Sequence, residues 1–559
     1  MACLVTGGSE LSMGYCVIVI IVVVGIILLL LYLCHRSLSV VTPFKGERGL
    51  PEPDHYIPDR RDFIKLMIVG GAAAVTSTAM AWSWPGMRCD EDADVVIVGF
   101  GAAGTAGAVE AADHGASVLI LEKMPIGGGT TLMSGGTIYA SETSIQREAG
   151  IRDSAEGMFK FLMATGKGLN RQELVEVVAK QSGETVEWLI SLGVNLWPGA
   201  FLGDAFGCEL YPEYACITPP VPRVHVVQGM GEGLFRTLQR AVRERGIRVL
   251  QETPATQLIT EGREVIGVKA RGRWGIMNIR ARKGVILTTG GFMYNKEMLA
   301  RFCRKGYRSL PLGNPGDEGD GIRMGLKLGA ELWAMTDTVG LPAVMIPGHE
   351  LARPLLLNYY GFPCVLVDRA GSRFVNEGVF YEFVNDALLN LEGDPPAYVV
   401  FDENVRKVAE DRIVKYFSST LDREIRKGVV SHANTIGDLA AGIGIDSVRL
   451  RETIERYNDY SRGGGDLDFG KTQEMGLGPV DRSPFYAIQV HPGMIATTGG
   501  LKINTNGQVL DTSGDAIPGL YAAGRTAGGV IGVVFPASGA NLQDAICFGR
   551  IAGRNAALS

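Results

Sequence analysis

DVVIVGFGAAGTAGAVEAADHGASVLILEK, residues 94 to 123, changes character four times along its length. A short apolar run, DVVIV, ends in Gly99-Phe-Gly101-Ala-Ala-Gly104, an alanine-rich helical stretch follows, and a second apolar run, VLIL, ends in Glu122. A lone GxGxxG says little. Between a strand and a helix, with an acid closing the next strand, it specifies a site. The glycines let a helix N-terminus meet a pyrophosphate, and the acid falls where a ribose hydroxyl is held. Gly99, Gly101, Ala102, Ala103, Gly104, Glu122 and the neighbouring Lys123 are therefore expected to bind a dinucleotide. The fold class that follows is α/β, built on a Rossmann-like domain.

Working outward, the question is which dinucleotide. An NAD enzyme needs only the one fingerprint, whereas three more glycine-rich stretches look placed on the same ligand: GGGTTLMSGG (127 to 136), VILTTGGF (285 to 292) and GLYAAGRTAGG (519 to 529). They bring Gly128, Gly129, Thr130, Thr131, Ser134, Gly135, Gly136, Thr289, Gly290, Gly291 and Gly524, and the closing helix adds Gly539, Asn541 and Leu542. The last of these lie far along the chain from the first, so the nucleotide domain is discontinuous and something is inserted. A ligand touched from both ends of the chain is large and tightly held, which favours FAD.

Taken in order, DVVIVGFGAAG, GGGTTLMSGG, TTGGF, RFVNE (373 to 377), TTGGLKIN (497 to 504), GLYAAG and NLQDAICFGRIAG (541 to 553) resemble the flavoprotein family that includes soluble fumarate reductases and 3-ketosteroid dehydrogenases. The resemblance implies an FAD-binding domain in two parts, residues 92–340 and 486–559, and an inserted α+β capping domain, 341–485, that closes over the flavin and carries RFVNE. The residues themselves suggest the same division. LFRTLQRAVRERGIRVL (234 to 250) reads as a helix and then a strand, and 255 to 282 alternates like a small antiparallel meander. The stretch from DREIRKGVV to LRETIERYNDY reads as helical, charged and solvated.

A dicarboxylate needs charge-assisted donors when it is buried, and fumarate reductases supply histidines and arginines. By resemblance those four positions fall on Tyr381, Ala496, Pro536 and Leu341. None is cationic. Ketosteroid dehydrogenases are similar in placing a tyrosine after RFVNE, as Tyr381 is here, and SGGTIYASETSIQREAG (134 to 150) resembles the branch acting at the 4,5 bond of 3-ketosteroids. FPASGANLQD (535 to 544) parallels a segment where steroid enzymes present a tyrosine and a backbone amide to the ketone oxygen; this chain has Phe535 and Pro536 there, and keeps Ser538 and Gly539.

The catalytic candidates are accordingly Tyr381, Ser538 and Gly539. Hydride exchange at flavin N5 with one carbon of a bond next to a ketone would be matched by a proton moved by Tyr381 at the neighbouring carbon. An unperturbed phenol, with a pKa near ~10, is a ready donor. Acting as a base it would need a nearby cation, for which Arg373 is the candidate. Ser538 and the Gly539 N–H would meet charge on the ketone oxygen. Arg373 and Glu377 are also read as holding the cap together, and Tyr359 and Tyr360 as further cavity residues. His491 is read as structural and His225 as near the flavin. No residue is assigned to a metal.

The front of the chain stands apart. Residues 1–14 are a tail, and 15–34, YCVIVIIVVVGIILLLLYLC, carry no charge over the length a ~30 Å hydrocarbon core requires, so a transmembrane helix is expected. After a linker, 35–58, residues 59–84 contain Arg60 and Arg61 ahead of a mild apolar run and resemble a twin-arginine export signal, with Ala79-Met80-Ala81 as a cleavage site. Two accounts fit: a start codon assigned too far upstream, or a first span entering with its amino terminus outside. Both make the protein membrane-associated, with its catalytic body on the outer side of the cytoplasmic membrane.

Composition sets the remaining bounds. The 559 residues hold 54 basic and 60 acidic side chains, a net charge of -6 that gives no nucleic-acid footprint, and 75 glycines. Cysteines form no CxxC; Cys208 and Cys216 are a disulfide pair or two buried thiols. The leading expectation is an exported or membrane-tethered FAD oxidoreductase that reduces or desaturates a bond next to a ketone in a small apolar ketone substrate, bulky as a 3-ketosteroid is, with a separate electron donor or acceptor. The alternatives are an exported reductase of another enone or enoate, and a non-catalytic FAD-bound membrane component.

Overall fold

Val95, Val96 and Ile97 are completely buried, so strand β1 (Glu91–Val98) is apolar on both faces, as a central parallel strand must be. In the computed structural model it lies between β2 (Val118–Leu121) and β8 (Gly275–Leu287), parallel to both, with Ile97 opposite Ile120 and Ile286. The structure describes residues 89–196, 221–347, 351–355, 357, 361–391, 397–409, 412–414 and 417–559. The expected span at 15–34, the export signal at 59–84, Cys208, Cys216, Tyr359 and Tyr360 lie outside them. Among the described residues no helix is long and apolar enough to cross a membrane. All described residues belong to one unit, Met80–Ser559.

The main sheet has eight strands. Helix α1 (Ala102–Asp113) follows β1; further on come the short helix α2 (Gly129–Met133), strand β3 (Thr137–Tyr139), helix α3 (Gln172–Ser191), β4 (Val224–Val226) and helix α4 (Met230–Glu244). Strand β5 (Arg248–Leu250) then joins the edge beside β2, giving the helix and strand expected over 234 to 250. The expected meander is β6 (Ala255–Glu261), β7 (Glu264–Gly272) and the first half of β8, all antiparallel. The second half of β8 continues into the parallel layer, so one long strand joins the two.

The inserted region has its own antiparallel four-stranded sheet. In order across the sheet these are β9 (Val365–Val367), β10 (Ala397–Asp402), β12 (Phe485–Val490) and β11 (Val430–Ala433). Strand β11 corrects the reading of this stretch as helical. Gly428, at φ 70°, ends the preceding turn, and Val430 is buried as the chain runs along β12. Helix α6 (Ser447–Gly463) packs Leu450, Ile454 and Tyr457 beneath the sheet and leaves its charged face outside.

RFVNE lies at the centre of this insertion. The Arg373 guanidinium, only 4% exposed, donates to both carboxylate oxygens of Glu377 at 2.9 Å and to those of Asp466 at 3.0 and 2.9 Å. The rings of Tyr457 and Phe469 flank it, each 4.9 Å away, and Lys471 adds a second buried cation 3.5 Å from Glu377. Removing one partner of such a set strands an uncompensated buried charge. Arg373→Met is therefore expected to lower unfolding stability by about 3–5 kcal/mol in urea titration, and an unchanged midpoint would contradict this account.

Helix α5 (Tyr381–Leu389) joins the two regions. Val384 and Leu388 sit in the core of the inserted sheet, while Phe380 and Tyr381 belong to the core of the main domain. Asn385 receives the Gly493 N–H at 2.8 Å, near where the chain returns to the main domain.

The chain closes through β13 (Gln508–Leu510), β14 (Ala516–Ala522, parallel to β8) and helix α7 (Ala540–Leu558). Helix α7 lies directly on α1: a Cβ at Gly549 would sit 2.4 Å from the Ala103 carbonyl oxygen, and one at Gly553 2.2 Å from that of Gly107. Buried Glu110 of α1 accepts from Arg550 at 2.9 Å and Arg554 at 2.7 Å. The two ends of the described chain thus meet on one helix pair.

Candidate active site

The cofactor end is built around the turn after β1. Gly99, at φ 110°, has its α-carbon so close to the 288 turn that a Cβ would lie 2.4 Å from the Thr288 carbonyl oxygen. The Phe100 and Met124 N–H groups donate to the two oxygens of Glu122 at 2.9 and 2.8 Å. Burial raises the pKa of this carboxyl, against the pull of those two bonds. Each oxygen keeps a further lone pair for a ribose hydroxyl. Thr131 accepts the Ala102 N–H at 3.1 Å, which fixes α2 against the N-terminus of α1.

The other glycine stretches converge on the same place. The Thr289 and Thr526 hydroxyls are 3.3 Å apart, Gly524 packs against Ala103, and Gly539, at φ 99°, abuts β3 at Ile138 as it opens α7. Asn541 and Leu542 follow in the first turn of that helix and are half-buried. Ser134 and Gly136 pack against the start of α4, and Thr130 accepts the Asn314 N–H at 3.2 Å. Lys123 directs its ammonium to Glu318 and Asp320, at 2.8 and 2.6 Å. Beside it opens a cleft of about 590 Å³ lined by Met124, Pro254, Thr256, Arg271 and Arg323.

Three observations fit a large polar cofactor. A Cβ at Gly101 would meet nothing nearer than 3.7 Å, and one at Gly129 or Gly135 nothing within 4 Å, so these backbones face open space. Asp317, 3% exposed, has an unpartnered Oδ1, while its Oδ2 is 3.3 Å from Arg525. Burial raises its pKa, Arg525 opposing. A buried acceptor without a donor needs one supplied, and hydroxyl groups of an FAD are of the right kind. Asp317 was missed in the sequence because it lies outside the glycine motifs; its place in NPGDEGD, among glycines, was the available signal.

Of the expected catalytic residues, the Tyr381 hydroxyl lies 3.4 Å from that of Ser538. Phe380 packs against the Tyr381 ring with centroids 4.1 Å apart and stacks on Phe535 at 6.4 Å. Ala496, Phe535 and Tyr381 belong to the main core and Leu341 packs against it, so three of the four positions at which the resemblance implied cations are packed among apolar side chains. Arg373 does not serve as the cation considered for Tyr381, since Glu377 and Asp466 occupy its donors. His225 is held between the Thr143 hydroxyl and the Arg223 carbonyl, both at 2.9 Å, and burial lowers its pKa. His491 is likewise shifted down by burial.

A parallel sheet with a glycine turn, a ribose-type acid and convergent threonines, joined to a separate sheet across a tyrosine–serine pair, fits a flavin-dependent oxidoreductase. Residues 94–542 match the family described as FAD binding domain, and the chain belongs to it. Over 83% of its length it is 33% identical to the fumarate reductase (cytochrome) of Shewanella frigidimarina, covering 77% of that protein. It is 28% identical to the 3-oxosteroid 1-dehydrogenase of Mycolicibacterium smegmatis, covering 83% of this chain and 96% of the other. The crystal structure of 3-ketosteroid-Δ4-(5α)-dehydrogenase from Rhodococcus jostii RHA1 superposes with a TM-score of 0.65 at 28% identity, over 85% of this chain and 98% of that one. FAD is the cofactor of this family, and the chain is an FAD-dependent oxidoreductase.

Proposed function

We propose that the enzyme reduces or desaturates the carbon–carbon bond next to a ketone in a bulky apolar substrate of the 3-ketosteroid type. The observation that carries this reading is the Tyr381–Ser538 pair within an apolar surround. A carboxylate substrate would be left there without charge-assisted donors, whereas a neutral ketone needs only hydrogen bonds. The relatives' names favour chemistry at such a bond.

When bound, FAD supplies or accepts the hydride. The Tyr381 hydroxyl gives the proton to the neighbouring carbon in reduction; in desaturation the deprotonated Tyr381 phenolate would take it. The Ser538 hydroxyl and Gly539 amide, at the start of α7, stabilise negative charge that develops on the ketone oxygen. Phe380 and Phe535 shield the site from water, which strengthens those hydrogen bonds.

A second reading, a respiratory reductase of another enone or enoate fed by a separate electron carrier, is favoured by the higher identity to the fumarate reductase. Titrating the reduced flavin separates the two. Faster reoxidation by 4-androstene-3,17-dione than by small enoates is expected, and the reverse order would sink the steroid reading. Attachment to the cytoplasmic membrane, with the body on its outer side, is part of the proposal. It rests on residues 15–34 and 59–84, and fractionation of intact cells with external protease tests it.

A further inference from the structure

Beside Tyr381 in the first turn of α5 is Glu382, which is 6% exposed. Its Oε2 accepts the Phe535 N–H at 2.9 Å. Phe535 is three residues before Ser538, whose hydroxyl faces Tyr381, and lies in an irregular segment between strand and helix. Burying a carboxyl is costly unless it is hydrogen-bonded. Burial raises the pKa of this one well above the ordinary range, with the Phe535 bond opposing. The groups bearing on it are Asp386 on its own helix and, from other elements, Asp337 and Lys305, whose ammonium lies 3.5 Å from Asp337 and 3.4 Å from Asp386.

We propose that Glu382 is a positioning residue: from the inserted region it holds the 535–539 segment of the main domain by the Phe535 N–H, and so keeps the Ser538 hydroxyl and Gly539 amide opposite Tyr381. Consecutive residues of one helical turn then grip one segment at both ends, Glu382 at Phe535 and Tyr381 at Ser538. The inference rests on the reading of Tyr381 and Ser538 as the reacting pair. Its first test is independent of any substrate.

In the full-length, FAD-loaded protein, hydrogen exchange at the Phe535 amide is expected to be about 10-fold faster or more in Glu382→Ala. Glu382→Gln should stay within about 3-fold of wild type, because its amide oxygen still accepts the N–H. In reoxidation of the reduced flavin by 4-androstene-3,17-dione, Glu382→Ala should lose about 10-fold or more in rate with little change in KM, and Glu382→Gln should recover most of it with an unaltered pH profile. Unchanged exchange in Glu382→Ala overturns the proposal. So does a rate loss in Glu382→Gln equal to that in Glu382→Ala, which would assign the carboxyl to proton handling. If the ketone never reacts, the steroid reading fails, while the exchange measurement still decides whether Glu382 holds the segment.

Discussion

Tyr381→Phe is expected to slow reoxidation of the reduced enzyme by an enone by at least about 100-fold, the lower end of what a positioned general acid supplies. The flavin spectrum and the thermal midpoint should be unaffected. Tyr381 is 8% exposed and packs on Phe380, and phenylalanine preserves those contacts while removing only the hydroxyl that faces Ser538. Ser538→Ala should cost less, about 10-fold, because the Gly539 amide remains. Full activity in Tyr381→Phe would move the proton donor elsewhere.

Gly101→Val should produce a folded protein with little bound flavin. A Cβ there meets no atom within 3.7 Å, so the fold tolerates it, but the side chain would occupy the space facing the N-terminus of α1. FAD affinity is expected to fall about 100-fold or more, equivalent to ~3 kcal/mol. Gly104→Ala is the contrasting case: its Cβ would lie 2.0 Å from the Gly99 carbonyl oxygen, so helix and strand would have to separate and stability itself should drop. Flavin content and thermal unfolding of the two variants measured together distinguish these outcomes. A Gly101→Val protein that retains its flavin would show that the open space is not the pyrophosphate site.

The parallel core and the cofactor turn were legible because each depends on local features, an apolar run, a glycine that must take positive φ, and an acid at a strand end. The residues that act through distance were not. Asp466 completes the Arg373 cluster from far along the chain, and nothing in its neighbourhood marks it as buried. Strand β11 was hidden because VSHA is short and lies between helices; its pairing with β12 defines it, not its composition. Asp317 and Glu382 are ordinary acids in the sequence, and only their burial in the fold sets them apart.

Helix α5 contributes its first turn to one core and its later turns to another. The side chain to which the proposed function gives the discrimination of a ketone from a carboxylate is carried by the same helix as Val384 and Leu388, yet belongs to a different core. On that reading, a substitution at 381 would alter what the enzyme accepts while leaving in place the core of the inserted sheet, which Val384 and Leu388 fill.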